Sequence, residues 1–131
     1  MNRTYRDLVV WQKSMELVSE VYRVTGKFPR TEIYGITSQM RRAAVSIPSN
    51  LAEGQARYHP GDFLRFIGHA RGSLVELETQ IMISTELGYC SPDLRDQLLE
   101  RTAHIGALTN NLYTAVQRRT ENGERRTFSS Q

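Results

Sequence analysis

Two sets of polar residues in this chain have the spacing that chemistry needs. Gln39, Arg42, Ser46, Asn50, Glu53 and Arg57 follow one another at steps of three, four, four, three and four. On a helix those steps bring all six to one face. Together they offer amides, guanidinium groups, a hydroxyl and a carboxylate. They include no nucleophile and no clear acid–base pair. Glu53 can pair with Arg57 or, through Asn50, with Arg42. The preferred reading is therefore a structural network that also fixes a subunit contact. The second set is Arg65 and His69, one helical turn apart. An arginine that stabilises phosphate charge and a histidine that moves a proton could cleave RNA. Phe66 follows Arg65 where a polar helper would be expected, so this pair reads as ordinary solvated surface.

Other chemistries lack their residues. Di-iron bundles need Glu-x-x-His pairs on inward faces. Here Glu100 and His104 are four apart and have no repeat partner. Glycine loops of the phosphate-binding kinds and a Gly-x-Ser-x-Gly elbow are absent. Cys90 is the sole cysteine, which leaves no intrachain disulfide and no thiol-based metal site. No catalytic residue, metal or cofactor is implied.

The formal charge is +3, and of 17 basic residues only Lys13 and Lys27 are lysine. Arginine is the better fork for phosphate and carboxylate. Arg3, Arg6, Arg41, Arg42, Arg118 and Arg119 are the candidate phosphate contacts. A GC-rich genome gives the same arginine excess and is the plainer source of it. Asp62, Glu76, Glu78 and Glu86 oppose any positive field near them.

Four segments with a helical period must position these residues. The first runs from about Asp7 to Thr25, with Leu8, Trp11, Met15, Val18 and Tyr22 as its stripe and Gly26 as its stop. The second starts between Thr31 and Thr37. Its stripe of Ile36, Met40, Ala43, Ile47 and Leu51 crosses Pro48 without losing phase, which predicts one helix bent at the proline. Ser46 and Ser49 are expected to bond the carbonyls freed there. The third covers Pro60 to Leu87 along Phe63, Ile67, Ala70, Leu74, Leu77, Ile81 and Ser84. Gly68 and Gly72, four apart within it, predict the close approach of a neighbouring helix. The fourth opens at Ser91-Pro92-Asp93 and carries Leu94, Leu98, Ile105, Leu108, Leu112 and Val116. It is expected to end near Arg119.

These segments predict an all-α, antiparallel up-down-up-down four-helix bundle over residues 1–119, with its second helix kinked at Pro48. Residues 120–131 read as a polar, disordered tail. Val9, Val10, Leu64, Phe66, Met82 and Ile83 exceed what one stripe needs, which points to a subunit interface. No apolar run approaches the ~20 residues of a membrane span, and the N-terminus lacks an apolar signal core. A cytoplasmic protein with no membrane partner is expected.

Three separated motifs carry a family resemblance. They are LVVWQKSMELV from Leu8 with Phe28-Pro29, YGITSQMRRAAVSIPSNLAEG from Tyr34, and FLRFIGHARGSLVELETQI from Phe63. Over roughly Tyr5 to Val116 the chain resembles the bacterial four-helix-bundle proteins called ribosomal RNA intervening-sequence proteins. It departs at Leu51, where isoleucine is usual, and at Arg71. The resemblance implies a ring of five bundles and no enzymatic activity. It extends distantly to a basic pentameric accessory protein of diversity-generating retroelements, which contacts nucleic acid. Two functions are thus expected. One is a homo-oligomeric scaffold that meets RNA, DNA or a nucleic-acid enzyme. The alternative is an oligomeric module for a protein or small-molecule partner, with no role for nucleic acid.

Overall fold

Each helix begins and ends where local chemistry permits. In the computed structural model, which describes residues 4–57 and 59–129, the helices are α1 (Val9–Thr25), α2 (Ile36–Ala56), α3 (Pro60–Glu86) and α4 (Pro92–Ser129). Thr4 and Asp7 close a reciprocal capping box around a 3-10 turn at Tyr5–Asp7, just ahead of α1. The ring Nδ1 of His59 accepts the Gly61 N–H at 3.1 Å, with Pro60 at the first position of α3. Ser91 Oγ accepts the Leu94 N–H at 3.2 Å to cap α4. Gly88, at φ 80°, closes α3 in the left-handed region that suits glycine. No strand occurs among the described residues, so the fold is all-α.

α2 is one unbroken helix through Pro48, which is itself buried. The apolar phase across the proline predicts this. The expected work of the serines is different in fact. Ser46 turns its hydroxyl across to α3, 2.8 Å from Ser73 Oγ, rather than back to a freed carbonyl. Asn50 adds a local bridge, its Nδ2 donating to Ser46 O at 2.8 Å and to Ser46 Oγ at 2.9 Å, which is not the Ala44 carbonyl that Pro48 leaves without its N–H.

The core contains Met40, Ile47 and Leu51 of α2, the whole expected α3 seam, and Leu98, Ile105 and Val116 of α4. On α1 the inward stripe differs from the expected one. Val10, Ser14, Leu17, Val21 and Val24 are buried, whereas Met15 and Tyr22 are exposed and Leu8, Trp11 and Val18 only half-buried. Ser14 disguises the true stripe. Its hydroxyl donates to the Val10 carbonyl at 2.7 Å, which satisfies it and lets it sit in the core. Of the extra apolar residues, Val10 and Phe66 are buried, Leu64 is half-buried, and Val9, Met82 and Ile83 are exposed.

The helices pack in cyclic order: α1 on α2, α2 on α3, α3 on α4, and α4 on α1. Among the described residues neither diagonal pair brings Cα atoms within 8 Å of each other. Near the short α2–α3 link Gly54 lies against Phe63 and Phe66, and farther from it Ser46 meets Ser73. Rising numbers on α2 therefore match falling numbers on α3, and the two run antiparallel. Thr102 bonded to Glu78 and Arg71 over Tyr113 give the same result for α3 and α4.

The glycines correct a second expectation. A Cβ at Gly68 or Gly72 would meet nothing within 4 Å, so no helix of this chain approaches there. The close approach is at Gly54, where a Cβ would stand 2.6 Å from Phe66 Cβ. The end of α4 is a third difference. Helical backbone continues to Ser129, past Arg119 and through the segment expected to be disordered. A helix already nucleated by packing propagates readily through residues such as Arg and Glu. Cys90 is buried, and that burial pushes its thiol up from its ordinary value.

Candidate functional site in the groove between α2 and α3

The polar face of α2 has a counterpart. Asp62, Arg65, His69, Ser73, Glu76 and Gln80 follow along α3 at steps of three, four, four, three and four, the same series as on α2. With the helices antiparallel and Ser46 against Ser73, the two series run level with each other. Gln39 then stands at the level of Gln80, Arg42 of Glu76, Asn50 of His69, Glu53 of Arg65 and Arg57 of Asp62. Every charged level unites opposite signs. The expected stripe had six members on one helix; the groove has twelve on two. The α3 half is legible from its spacing, though the apolar seam of that helix is the stronger periodic signal.

The groove changes character along its length. Toward the α2–α3 link it is closed. Gly54 lets α3 come near, and Phe66 fills the space. Arg57 lies over the Phe66 ring at 5.3 Å and Arg65 at 5.0 Å, while the His69 ring meets it edge-on at 6.0 Å. The ion pairs here form within each helix, Arg57 to Glu53 at 3.2 Å and Arg65 to Asp62 at 3.7 Å. Both are solvent-exposed and contribute little to stability. Arg65 and His69, the pair that could have cleaved RNA, are thus both held against Phe66.

Toward the other end the groove opens into a cavity of about 400 Å³, lined by Gln39, Arg42, Ala43, Ser46, Ser73, Glu76 and Gln80. Ser46 and Ser73 form its floor. Asn50 already uses both amide protons on Ser46. The two serines share one hydrogen bond and carry two hydroxyl protons. One O–H therefore has no acceptor among the described residues. Gln80 is only 6% exposed, and its Oε1 has no hydrogen-bond partner among the described residues. An acceptor sealed without a donor costs about 1–3 kcal/mol. Arg42 and Glu76 are exposed at one level, and no ion pair joins them among the described residues.

The candidate phosphate contacts separate into two groups. Arg41 is committed to the fold. Its Nε donates to Thr25 Oγ1 at 2.9 Å, and its guanidinium lies 4.5 Å above the Tyr22 ring. Arg42 faces the cavity. Arg6, Arg118 and Arg119 are exposed at the opposite end, since α4 past Tyr113 runs toward the start of α3. Arg57 and Arg65 belong to that same end, though charge composition alone did not select them. Arg3 lies outside the described residues.

No helix of the described residues is long and apolar enough to cross a membrane. No individually curated protein matches the chain. The model of one protein family does match, over residues 6–111, a span that holds both polar series and Pro48. The chain belongs to the 23S rRNA-intervening sequence protein family.

Proposed function

We propose that this protein is a non-enzymatic, homo-oligomeric helical scaffold, five copies to a ring, whose basic end meets nucleic acid. One observation carries the nucleic-acid contact. Arg6, Arg57, Arg65, Arg118 and Arg119 come from four separate elements and gather at one end of the bundle. The other end mixes Glu32, Glu86, Asp93 and Asp96 with Arg23, Lys27, Arg30 and Arg95, beside the exposed Ile33, Tyr34 and Leu87. Exposed guanidinium groups brought together from separate elements are available to the phosphates of a polyanion, although Arg57 and Arg65 also pair with Glu53 and Asp62.

Assembly is supported by apolar residues on two different outer faces. Met15, Tyr22 and Val45 are exposed along α1 and α2; Val75, Met82 and Ile83 are exposed along α3. In the cyclic packing order the α1–α2 side lies opposite the α3–α4 side. Two unlike faces pair head to tail, and such contacts give a ring where the rotation between copies closes. The number five rests on the family resemblance alone. A ring multiplies the +3 of each chain and repeats the arginine cluster around one rim.

Fluorescence anisotropy with short RNA and DNA tests the reading. Affinity is expected to fall steeply with salt, by a log–log slope of about −0.9 per phosphate contacted on duplex DNA. Little sequence preference is expected, because backbone contacts carry none. Arg118→Ala/Arg119→Ala is expected to weaken binding and flatten that slope, and Arg42→Ala to leave both unchanged. Absence of binding at low salt would favour the alternative, an oligomeric module for a protein or small molecule. Light scattering that returns 15.0 kDa, the mass of one chain, would remove the ring.

A further inference from the structure

The open half of the α2–α3 groove is built to hold something smaller than a macromolecule. We infer that its cavity is a binding site for a small zwitterion of the α-amino acid class, held between Arg42 and Glu76. At about 400 Å³ the cavity falls within the roughly 300–1,000 Å³ of small-molecule pockets. This site is separate from the basic end and does not depend on the nucleic-acid reading.

The chemistry of the walls selects the ligand. A bare anion such as phosphate would gain Arg42 but face the Glu76 carboxylate. A bare cation would gain Glu76 but face the Arg42 guanidinium. These two side chains stand at one level of the groove, on opposite helices, and both line the cavity. A molecule that carries both charges on neighbouring atoms satisfies both walls at once. Its carboxylate takes Arg42 and the serine O–H that lacks an acceptor. Its ammonium takes Glu76.

Gln80 supplies the second, independent observation. A glutamine that is 6% exposed, with its Oε1 unpartnered among the described residues, is a poor choice for packing alone. The opposite side of the cavity at this level carries Gln39, a second amide. A side-chain rotation of Gln80 that offers its carbonyl to an ammonium, and its N–H₂ to a carboxylate, removes the unpaired acceptor. The apo state is thereby left less stable than its apolar equivalent, as ligand-binding sites often are.

The test uses the full chain and the free L-amino acids, each at millimolar concentration, with acetate and methylammonium as single-charge controls. At least one amino acid is expected to raise the thermal midpoint by a few degrees and to shift the side-chain amide resonances of Gln39 and Gln80. Arg42→Ala and Glu76→Gln are each expected to weaken that ligand at least tenfold. Gln80→Met is expected to keep or raise the ligand-free midpoint while weakening the ligand tenfold, a combination that a purely structural glutamine does not give. Three results would overturn the inference. One is no response to any amino acid. Another is an equal response to acetate alone. The third is a drop in ligand-free midpoint from Arg42→Ala and Glu76→Gln that is shared rather than additive, without any ligand effect, since this marks a simple ion pair between helices.

Discussion

The two halves of the α2–α3 groove share one residue pattern and differ in what fills them. Near the link, polar levels such as Glu53 with Arg65 sit outside a tight apolar contact, Gly54 against Phe66. A few turns away, equally polar levels line open space. The side chains at the contact make the difference. Where α2 has no side chain at position 54, α3 closes in and an aromatic ring seals the seam. Where α2 presents Ala43 and Ser46, small but not absent side chains, the gap stays polar and accessible. Complementary polar series fix which residues stand level, and a single glycine decides which half is shut.

The largest expected effect follows from that glycine. Gly54→Ala forces a Cβ to 2.6 Å from Phe66 Cβ, an atom fixed to the α3 backbone that cannot turn away. Overpacking of this kind costs about 1–3 kcal/mol or more, enough to outweigh the ~1 kcal/mol that alanine gains over glycine in a helix. A urea midpoint that falls clearly below that of the parent protein is expected. A neutral result would mean the closed half is not closed by Gly54.

At the boundary between the halves, Ser73→Ala should cost about 1 kcal/mol, the usual net worth of a hydrogen bond, and Ser46→Ala somewhat more, because it also removes an acceptor of Asn50. The double variant should cost little more than one of them, because both changes remove the same 2.8 Å contact. Full additivity in a denaturation cycle would show that the serines do not bridge the helices.

On the far face of α3, Gly68→Ala and Gly72→Ala run the opposite way. Both have open space at the Cβ position, so each should stabilise the folded chain by up to about 1 kcal/mol. If either instead lowers the assembly state in light scattering, that face is covered by another subunit, and the expected close approach belongs to the assembly. The smallest effect is that of Glu53→Ala. Its pair with Arg57 is exposed on both sides, and its loss should change the urea midpoint by less than about 0.5 kcal/mol. A larger loss would make the closed half electrostatic rather than steric.

How much of this was legible in sequence varies from helix to helix. The continuity of α2 across Pro48 was legible, because only a helix keeps Met40, Ala43, Ile47 and Leu51 in phase. The α3 seam was legible throughout, since the buried positions of that helix are apolar except for Gln80 and Ser84. α1 was misread because hydrophobicity is a proxy for burial. Leu8, Trp11, Met15, Val18 and Tyr22 form an unbroken apolar series, whereas Ser14 interrupts that of Val10, Leu17, Val21 and Val24, yet the second group faces inward. Buried Thr102 and Thr109 hide part of the α4 seam in the same manner, each hydroxyl bonded to a carbonyl of its own helix.

The sequence by itself determined four helices, the order in which they follow, and one polar face on α2. Those properties depend on neighbours three and four residues apart, which a linear pattern records. Only the tertiary structure decided which glycine admits a helix, that a second polar series stands opposite the first, and that Arg41 is tied down while Arg42 faces a cavity. These depend on residues distant in the chain and near in space. Gly54, Gly68 and Gly72 look the same in sequence, and what separates them is the presence or absence of a phenylalanine on another helix.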